Sequence, residues 1–294
     1  MIPSHFSYHA PRSVEDAIAL LQSHGDEAKL LAGGHSLLPL MKQRLARIAH
    51  LVDIGRIEGL AYVRQVGDAI HIGAMTTHSE LAESELLLQR QPLLPRAAIR
   101  IGDVQVRNSG TLGGSLAHAD PSADLVPVLL ALEADLRICG PGGERSLAAS
   151  AFFEAMFTTA LAPDEILLEV RVPVAPANSR CTYEKVPHKA SHLAVVGVAA
   201  QIEFTADGRC EQARFALTGL APVPYRALAA EESLRGKALS EASISAAAQK
   251  VTEGVDPLSD FYAPADYRLH LARVYTARAL GVLLDRLPNP FDPR

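Results

Sequence analysis

The sequence predicts an α+β protein built from three folding units, and three observations carry that prediction. The 294 residues are 48% apolar and 21% charged, which is enough to bury a large core. The first fifty or so residues run strand, glycine loop, helix, strand, an α/β order. The last hundred or so place strands before a series of helices, an α+β order. The expected units are 1–54, a first α/β subdomain; 55–176, a second α+β subdomain; and 177–294, an antiparallel sheet with helices.

In the first unit, Ser13 is placed to cap a helix running to His24, with Asp16 in its first turn. Val14, Ile18 and Leu21 share one face of this helix, and Gly25 ends it. A short strand at Leu30-Leu31 enters the Gly33-Gly34 turn. A helical stretch follows to about Arg44, then a strand from His50 to Ile54. In the second unit, Ala69 to Gly73 alternates as a strand, Thr77-His-Ser-Glu80 reads as a capping box, and Pro92 to Gly102 reads as a helix. Asp120-Pro-Ser-Ala-Asp124 is expected to cap a buried helix through Leu125, Val128, Leu129 and Leu132. Strands are expected at Leu136–Cys139 and Glu165–Val172, with Gly140-Pro-Gly-Gly143 as the turn between them.

Val174-Ala-Pro-Ala-Asn-Ser179 has no periodicity and is the expected linker. Beyond it Tyr183–Val186, Leu193–Phe204 and Gln212–Leu220 read as strands, with Asp207-Gly208 as a hairpin turn. Helices are expected over Arg226–Arg235, Ser240–Val255 and Asp266–Leu287.

The net charge of −5 argues against a nucleic-acid partner, whose footprint would be basic. No apolar run reaches the roughly 20 residues that span a bilayer, and Met-Ile-Pro-Ser-His is not a basic start followed by an apolar stretch, so a cytoplasmic protein is expected. Cys139, Cys181 and Cys210 are isolated, with no C-x-x-C pair for zinc or an iron–sulfur cluster. Each is read as a small apolar residue.

The chemistry points to the glycines. Lys29-Leu-Leu-Ala-Gly-Gly-His-Ser36 and Asn108-Ser-Gly-Thr-Leu-Gly-Gly-Ser-Leu-Ala117 share one strategy. Glycine lets backbone N–H groups approach a ligand without a β-carbon in the way, and consecutive N–H groups form an anion cradle. Two such loops suit a diphosphate. In the first, Ala32, Gly33, Gly34, His35, Ser36 and Leu37 would present amides and the Ser36 hydroxyl, with Lys29 adding charge. In the second, Thr111 and Ser115 would supply hydroxyls while Gly113 and Gly114 keep the backbone open; Arg107 is either a phosphate partner or solvated. G-x-G-x-x-G and the longer loop ending in Gly-Lys-Ser/Thr are both missing, so the grip is of another kind. His118, Asp120 and Asp124 lie close in sequence as metal ligands would, but helix capping accounts for the aspartates. His188, His192, Lys185 and Lys189 are read as a solvated or partner-facing loop.

Ala32-Gly-Gly-His-Ser36, Thr111-Leu-Gly-Gly-Ser115 and Asp120-Pro-Ser-Ala-Asp124 resemble the FAD-binding motifs of the flavin (medium) subunit of molybdenum hydroxylases, particularly that of aerobic carbon monoxide dehydrogenases. The resemblance extends to Phe6-x-Tyr8-x-x-Pro11, Gly73-Ala-Met-Thr-Thr77, Tyr183-Glu-Lys185 and Tyr267-Arg-x-x-Leu-Ala-x-Val274, and so spans nearly the whole chain. It implies two N-terminal subdomains forming an FAD-binding unit of the molybdenum hydroxylase and vanillyl-alcohol oxidase type. A C-terminal antiparallel sheet with a helical bundle closes over the flavin.

Carried over position by position, Ala123 and Asp124 fall where the ribityl or ribose hydroxyls are bound, Lys185 beside the flavin edge, and Leu168 over the flavin or adenine. Lys185 would then favour a reduced, anionic ring. Leu193 stands where carbon monoxide oxidisers place a tyrosine, and Ser115-Leu-Ala-His118 replaces an Asn-bearing stretch. A Gly-Gly-His-Ser string also occurs in berberine bridge type oxidases, where the histidine is bonded to flavin. The wider resemblance implies noncovalent FAD here.

The implied function is electron transfer: FAD takes electrons from an iron–sulfur subunit and passes them to quinone, NAD or oxygen. Molybdopterin and 2Fe-2S clusters would sit on partner chains only, a large molybdenum subunit and a small iron–sulfur subunit, assembled as a dimer of heterotrimers. Peripheral membrane contact stays open. The alternatives are a self-contained FAD oxidase and a non-redox nucleotide-binding assembly subunit.

Overall fold

The computed structural model describes residues 2–284. Its first unit is a three-stranded parallel sheet in which β1 (Ser7–His9) and β2 (Ala28–Leu31) flank β3 (His50–Asp53). Helix α1 (Val14–His24) connects β1 to β2. The Ser13 hydroxyl accepts from the Asp16 amide at 3.1 Å, and Gly25 ends the helix at φ +50°, as the sequence anticipates. Ala17, Ile18 and Leu21 bury the inner face of α1 against Val52 and Ile54. Helix α2 (Leu37–Lys42) follows the Gly33-Gly34 turn and is shorter than the expected run to Arg44.

The second unit is a five-stranded antiparallel sheet. Its strands are β4 (Val63–Val66), β5 (Ala69–Gly73), β6 (Asp135–Gly140), β7 (Gly143–Ala148) and, following the short β8 (Phe153–Ala155) and β9 (Thr158–Thr159), β10 (Ile166–Pro173), in the order β4-β5-β10-β6-β7. The Gly140–Gly143 turn joins β6 to β7, not to the Glu165 strand. The sequence Gly-Glu-Arg-Ser-Leu-Ala hides β7 because it is an edge strand with little apolar content. Helices α3 (His78–Glu83), α4 (Glu85–Arg90), α5 (Leu93–Ala98), α6 (Val104–Ser109), α7 (Leu112–His118), α8 (Leu125–Ala131) and the short α9 (Ala149–Phe152) belong to the same unit. The capping box is present: the Thr77 amide reaches Glu80 Oε2 at 2.7 Å and the Glu80 amide reaches Thr77 Oγ1 at 3.2 Å. The apolar face of the sheet, with Ile70, Ile72, Leu136 and Val170, packs against Leu94, Leu116, Leu125 and Leu129 from these helices.

The opposite face of this sheet is polar and is organised around Glu169 on β10, which is 1% exposed. Tyr62 donates its hydroxyl to the carboxylate, Arg171 approaches at 2.7 Å, His71 at 3.2 Å and Arg137 at 3.3 Å. Burial alone would raise the carboxyl pKa, but these donors outweigh it and hold it at about 2. Because the folded-state value lies below the unfolded one, the contribution is complete above the ordinary carboxylate range. It is lost as pH falls toward 2. Glu169→Gln should therefore lower unfolding free energy at pH 7 by about 2–3 kcal/mol and flatten the acid limb, measured by urea denaturation across that range.

The third unit is an antiparallel sheet, β11 (Ser179–Pro187), β12 (Ala194–Phe204), β13 (Cys210–Thr218) and β14 (Tyr225–Arg226), in sequential order. Gly208, at φ +77°, turns the β12–β13 hairpin. Helices α10 (Leu228–Leu234), α11 (Glu241–Lys250) and α12 (Ala265–Leu283) cover one face. The expected last helix extends to Leu287; residues 285–287 lie outside the described residues. On the other face Tyr183, Ala199 and Ala216 join the core of the second unit, while Ile166 and Leu168 of β10 join the core of the first. The three sheets are thus bridged by shared apolar clusters. No helix among the described residues is long and apolar enough to cross a membrane.

Candidate functional site

Strand β2 ends at Leu31 and delivers the first glycine loop to the mouth of a cavity of about 590 Å³. Gly34 sits at φ +75°, where a β-carbon would also press to within 2.9 Å of Leu38 Cδ1, so the turn requires glycine. The amides of Gly33, Gly34, His35 and Ser36 find no acceptor among the described residues. Unpaired N–H groups on a partly exposed turn are available to an anion.

The second loop behaves differently. Helix α7 begins at Leu112, before the glycines, because Thr111 caps it by accepting from the Gly114 amide at 3.2 Å. The Leu112 amide is spent on Thr76 O at 2.9 Å and that of Gly113 on Ala74 O at 2.7 Å. The expectation that Gly113 and Gly114 hold the backbone open to ligand is corrected on this point. These glycines admit protein instead: a β-carbon on Gly113 would lie 2.6 Å from Ala74 Cβ, and one on Gly114 3.3 Å from Ala32 Cβ. The Thr111 hydroxyl is likewise a cap on a residue only 3% exposed.

The two loops nonetheless meet. Ser109 Oγ donates to Gly33 O at 2.9 Å, and a β-carbon on Gly33 would collide with Ser109 O and lie 2.7 Å from Gly110 Cα. The first loop supplies the free amides and the second presses it into place.

Around the same cavity the structure gathers Lys29, Ala32 to Leu37, Thr111, Gly113 and Gly114. Ser115, His118, Ala123, Asp124 and Leu193 of the predicted set line it too. Ser115 and His118 lie one turn apart on α7. Leu193 is 40% exposed at the rim.

Two predicted residues stand behind the wall. Leu168 is 5% exposed and packs in the core of the first unit with Ile18 and Leu21, so it covers that core and not the cavity. Lys185 is buried, with its ammonium 2.9 Å from each oxygen of Asp124 and 2.7 Å from His192 O. Tyr183 donates to the same carboxylate at 2.5 Å. Burial pushes the Asp124 carboxyl up and the Lys185 ammonium down, while their mutual attraction favours the charged pair. The free positive charge expected beside the flavin is therefore a neutralised pair. Asp124 occupies the N-cap position of α8 but makes no capping bond, because its side chain turns to Lys185 and Tyr183.

Arg107 is half-buried and donates to Ile101 O at 2.9 Å and to Gly102 O at 3.3 Å, which braces the chain ahead of the second loop. Arg268 of the C-terminal motif is 4% exposed and gathers Val195 O, Gly219 O and Asp260, which fixes the start of β12 next to the cavity rim. The sequence reading missed His78. It lines the cavity, packs against Gly110, is 5% exposed and has an unpartnered Nδ1. Burial, reinforced by His35 and Arg107, lowers its pKa to about 4, so the ring is neutral. Inside a capping box it looked like an ordinary first-turn residue, and only its contact with the second loop gives it away.

The unpaired amides, the flanking hydroxyls of Ser36 and Ser115, and a turn that tolerates no β-carbon fit a dinucleotide diphosphate, and the fold and site together define an FAD-binding oxidoreductase subunit. Residues 4–175 match the family described as "FAD binding domain in molybdopterin dehydrogenase", and residues 181–283 match "CO dehydrogenase flavoprotein C-terminal domain". The chain belongs to this family, the medium, FAD-carrying subunits of molybdenum hydroxylases of the carbon monoxide dehydrogenase type. It is 41% identical to the carbon monoxide dehydrogenase medium chain of Hydrogenophaga pseudoflava, over 96% of this chain and 98% of that one. It is 38% identical to the 6-hydroxypseudooxynicotine dehydrogenase complex subunit alpha of Paenarthrobacter nicotinovorans, over 97% of both. A solved structure of carbon monoxide dehydrogenase from Hydrogenophaga pseudoflava superposes with a TM-score of 0.94 and 42% identity, covering 98% of this chain and 100% of that one.

Proposed function

We propose that this chain is the electron-transfer flavoprotein of a three-subunit molybdenum hydroxylase, with its diphosphate grip at the first glycine loop. The carrying observation is the row of unpaired amides from Gly33 to Ser36, held at the cavity mouth by Ser109. When bound, FAD supplies the capacity to accept two electrons arriving singly from an iron–sulfur subunit and to release them to quinone, NAD or oxygen.

The chain's own residues bind and orient. The amides and the Ser36 hydroxyl would hold the diphosphate, and Lys29 at the strand edge would offset part of its charge. Ser115, His118 and Ala123 would line the course of the dinucleotide. Asp124, fixed by Lys185 and Tyr183, would accept from a ribityl or ribose hydroxyl with a carboxylate that cannot rotate. Leu193 at the rim would leave the ring edge open to the acceptor. The expected units 1–54, 55–176 and 177–294 follow the three sheets and are proposed as the folding units. Partner subunits would carry molybdopterin and the 2Fe-2S clusters. Similar chains serve enzymes named for carbon monoxide and for 6-hydroxypseudooxynicotine, so the oxidised substrate is assigned to the molybdenum chain and not to this one.

The test is purification of this chain from its native cells. Flavin, molybdenum and iron–sulfur chains should co-elute, and the isolated flavoprotein should not oxidise a substrate by itself; turnover of the isolated chain would overturn the reading in favour of a self-contained oxidase. Acid precipitation should release all flavin to the supernatant. Colour kept in the pellet would show a covalent bond, with His35 as the nearest candidate.

A further inference from the structure

Away from the cavity, the N-terminal unit brings three imidazoles together. We infer that His9, His24 and His50 form a binding site for one divalent transition-metal ion of the zinc class. His9 ends β1, His24 ends α1 and His50 begins β3, so three elements of the unit converge at one corner. One ring nitrogen from each lies within 4.8 Å of the others, and among the described residues this is the one such group. His9 Nε2 and His50 Nδ1 are 3.1 Å apart, and the rings of His24 and His50 stack with centroids 3.6 Å apart. The His24 imidazole hydrogen-bonds to no described residue, so its nitrogens remain to be used.

The chemistry selects the ion. Neutral imidazole nitrogens suit Zn²⁺, Ni²⁺ or Cu²⁺, whereas Mg²⁺ and Ca²⁺ demand oxygen ligands. Tetrahedral coordination at about 2.0–2.1 Å separates ligand nitrogens by about 3.3 Å. Reaching that geometry requires the His24 and His50 rings, which lie within 9° of parallel, to turn out of their stack so that their nitrogens converge. The corner is partly open to solvent, which leaves a fourth position for water. A bound ion would tie β1 and β3 to the end of α1. Since β3 pairs with β2, which leads into the Gly33 loop, it would brace the unit that carries the diphosphate grip without touching the cavity.

The test uses the FAD-loaded full chain freed of metal by chelation. Titration with Zn²⁺ should show one site per chain, with Mg²⁺ inert, and Zn²⁺ should raise the melting temperature while flavin content stays constant. His24→Gln, at the C-terminal end of a helix, should fold normally, weaken Zn²⁺ binding at least tenfold and abolish the thermal gain. His50→Gln should do the same. Absence of Zn²⁺ binding, or equal binding by the wild type and both variants, would overturn the assignment.

Discussion

Gly33→Ala is expected to strip the protein of flavin while leaving its secondary structure intact. The added methyl would occupy space held by Ser109 O and Gly110 Cα, and both are backbone atoms that no side-chain rotation can move. Opening the contact breaks the Ser109 Oγ bond to Gly33 O at 2.9 Å, a polar link between the two loops. The overpacking itself costs about 1–3 kcal/mol, which a chain of this size survives. Binding suffers more, because the amides of residues 33–36 must face one point together. Flavin bound per chain after desalting should fall at least about tenfold, or about 1.4 kcal/mol in affinity. Gly142→Ala, whose β-carbon would meet nothing within 4 Å, is the control and should keep full flavin content. Normal flavin content in Gly33→Ala would place the diphosphate elsewhere.

This contrast shows what a sequence can and cannot disclose about such a site. The strand-to-turn form of the first loop was readable because Gly-Gly after an apolar strand is a local signal, and the positive φ at Gly34 is a local property. The second loop carries the same letters with a different duty. Whether an amide is free depends on Thr76 and Ala74, which reach it only in the folded chain. The cap residues Ser13 and Thr77 and the turn at Gly208 were also local and came out as anticipated. Strand β7 did not, since an edge strand with no buried residue lacks the apolar alternation that marks a half-buried one. His78 and the partners of Lys185 were hidden for the same reason: burial is a property of the assembled core, not of a tripeptide.

Lys185→Met should destabilise the protein strongly at neutral pH and progressively less in acid. Asp124 is 4% exposed, and its charge is balanced by an ammonium 2.9 Å from both oxygens. Removing one member of a buried pair leaves the other uncompensated, at a cost of about 3–5 kcal/mol. Tyr183 remains as a donor, held in place by Gly197, where a β-carbon would press on the phenol oxygen and lie 2.8 Å from Thr218 Cγ2. One neutral hydrogen bond does not replace the cation. Burial already pushes the Asp124 carboxyl upward, and without Lys185 nothing comparable opposes that shift. A carboxyl whose folded pKa exceeds its unfolded value binds protons more tightly in the native state. Stability of the variant therefore falls as pH rises through the window between the two values and recovers as pH drops below it. Urea unfolding of Lys185→Met between neutral and mildly acidic pH should show the deficit shrinking, the opposite of the acid loss expected from Glu169. Adding Asp124→Asn to the variant should restore most of the lost stability at neutral pH, because an amide is not charged. If the double variant is as unstable as the single one, packing of the lysine stem and not charge compensation holds this junction between the second and third units together.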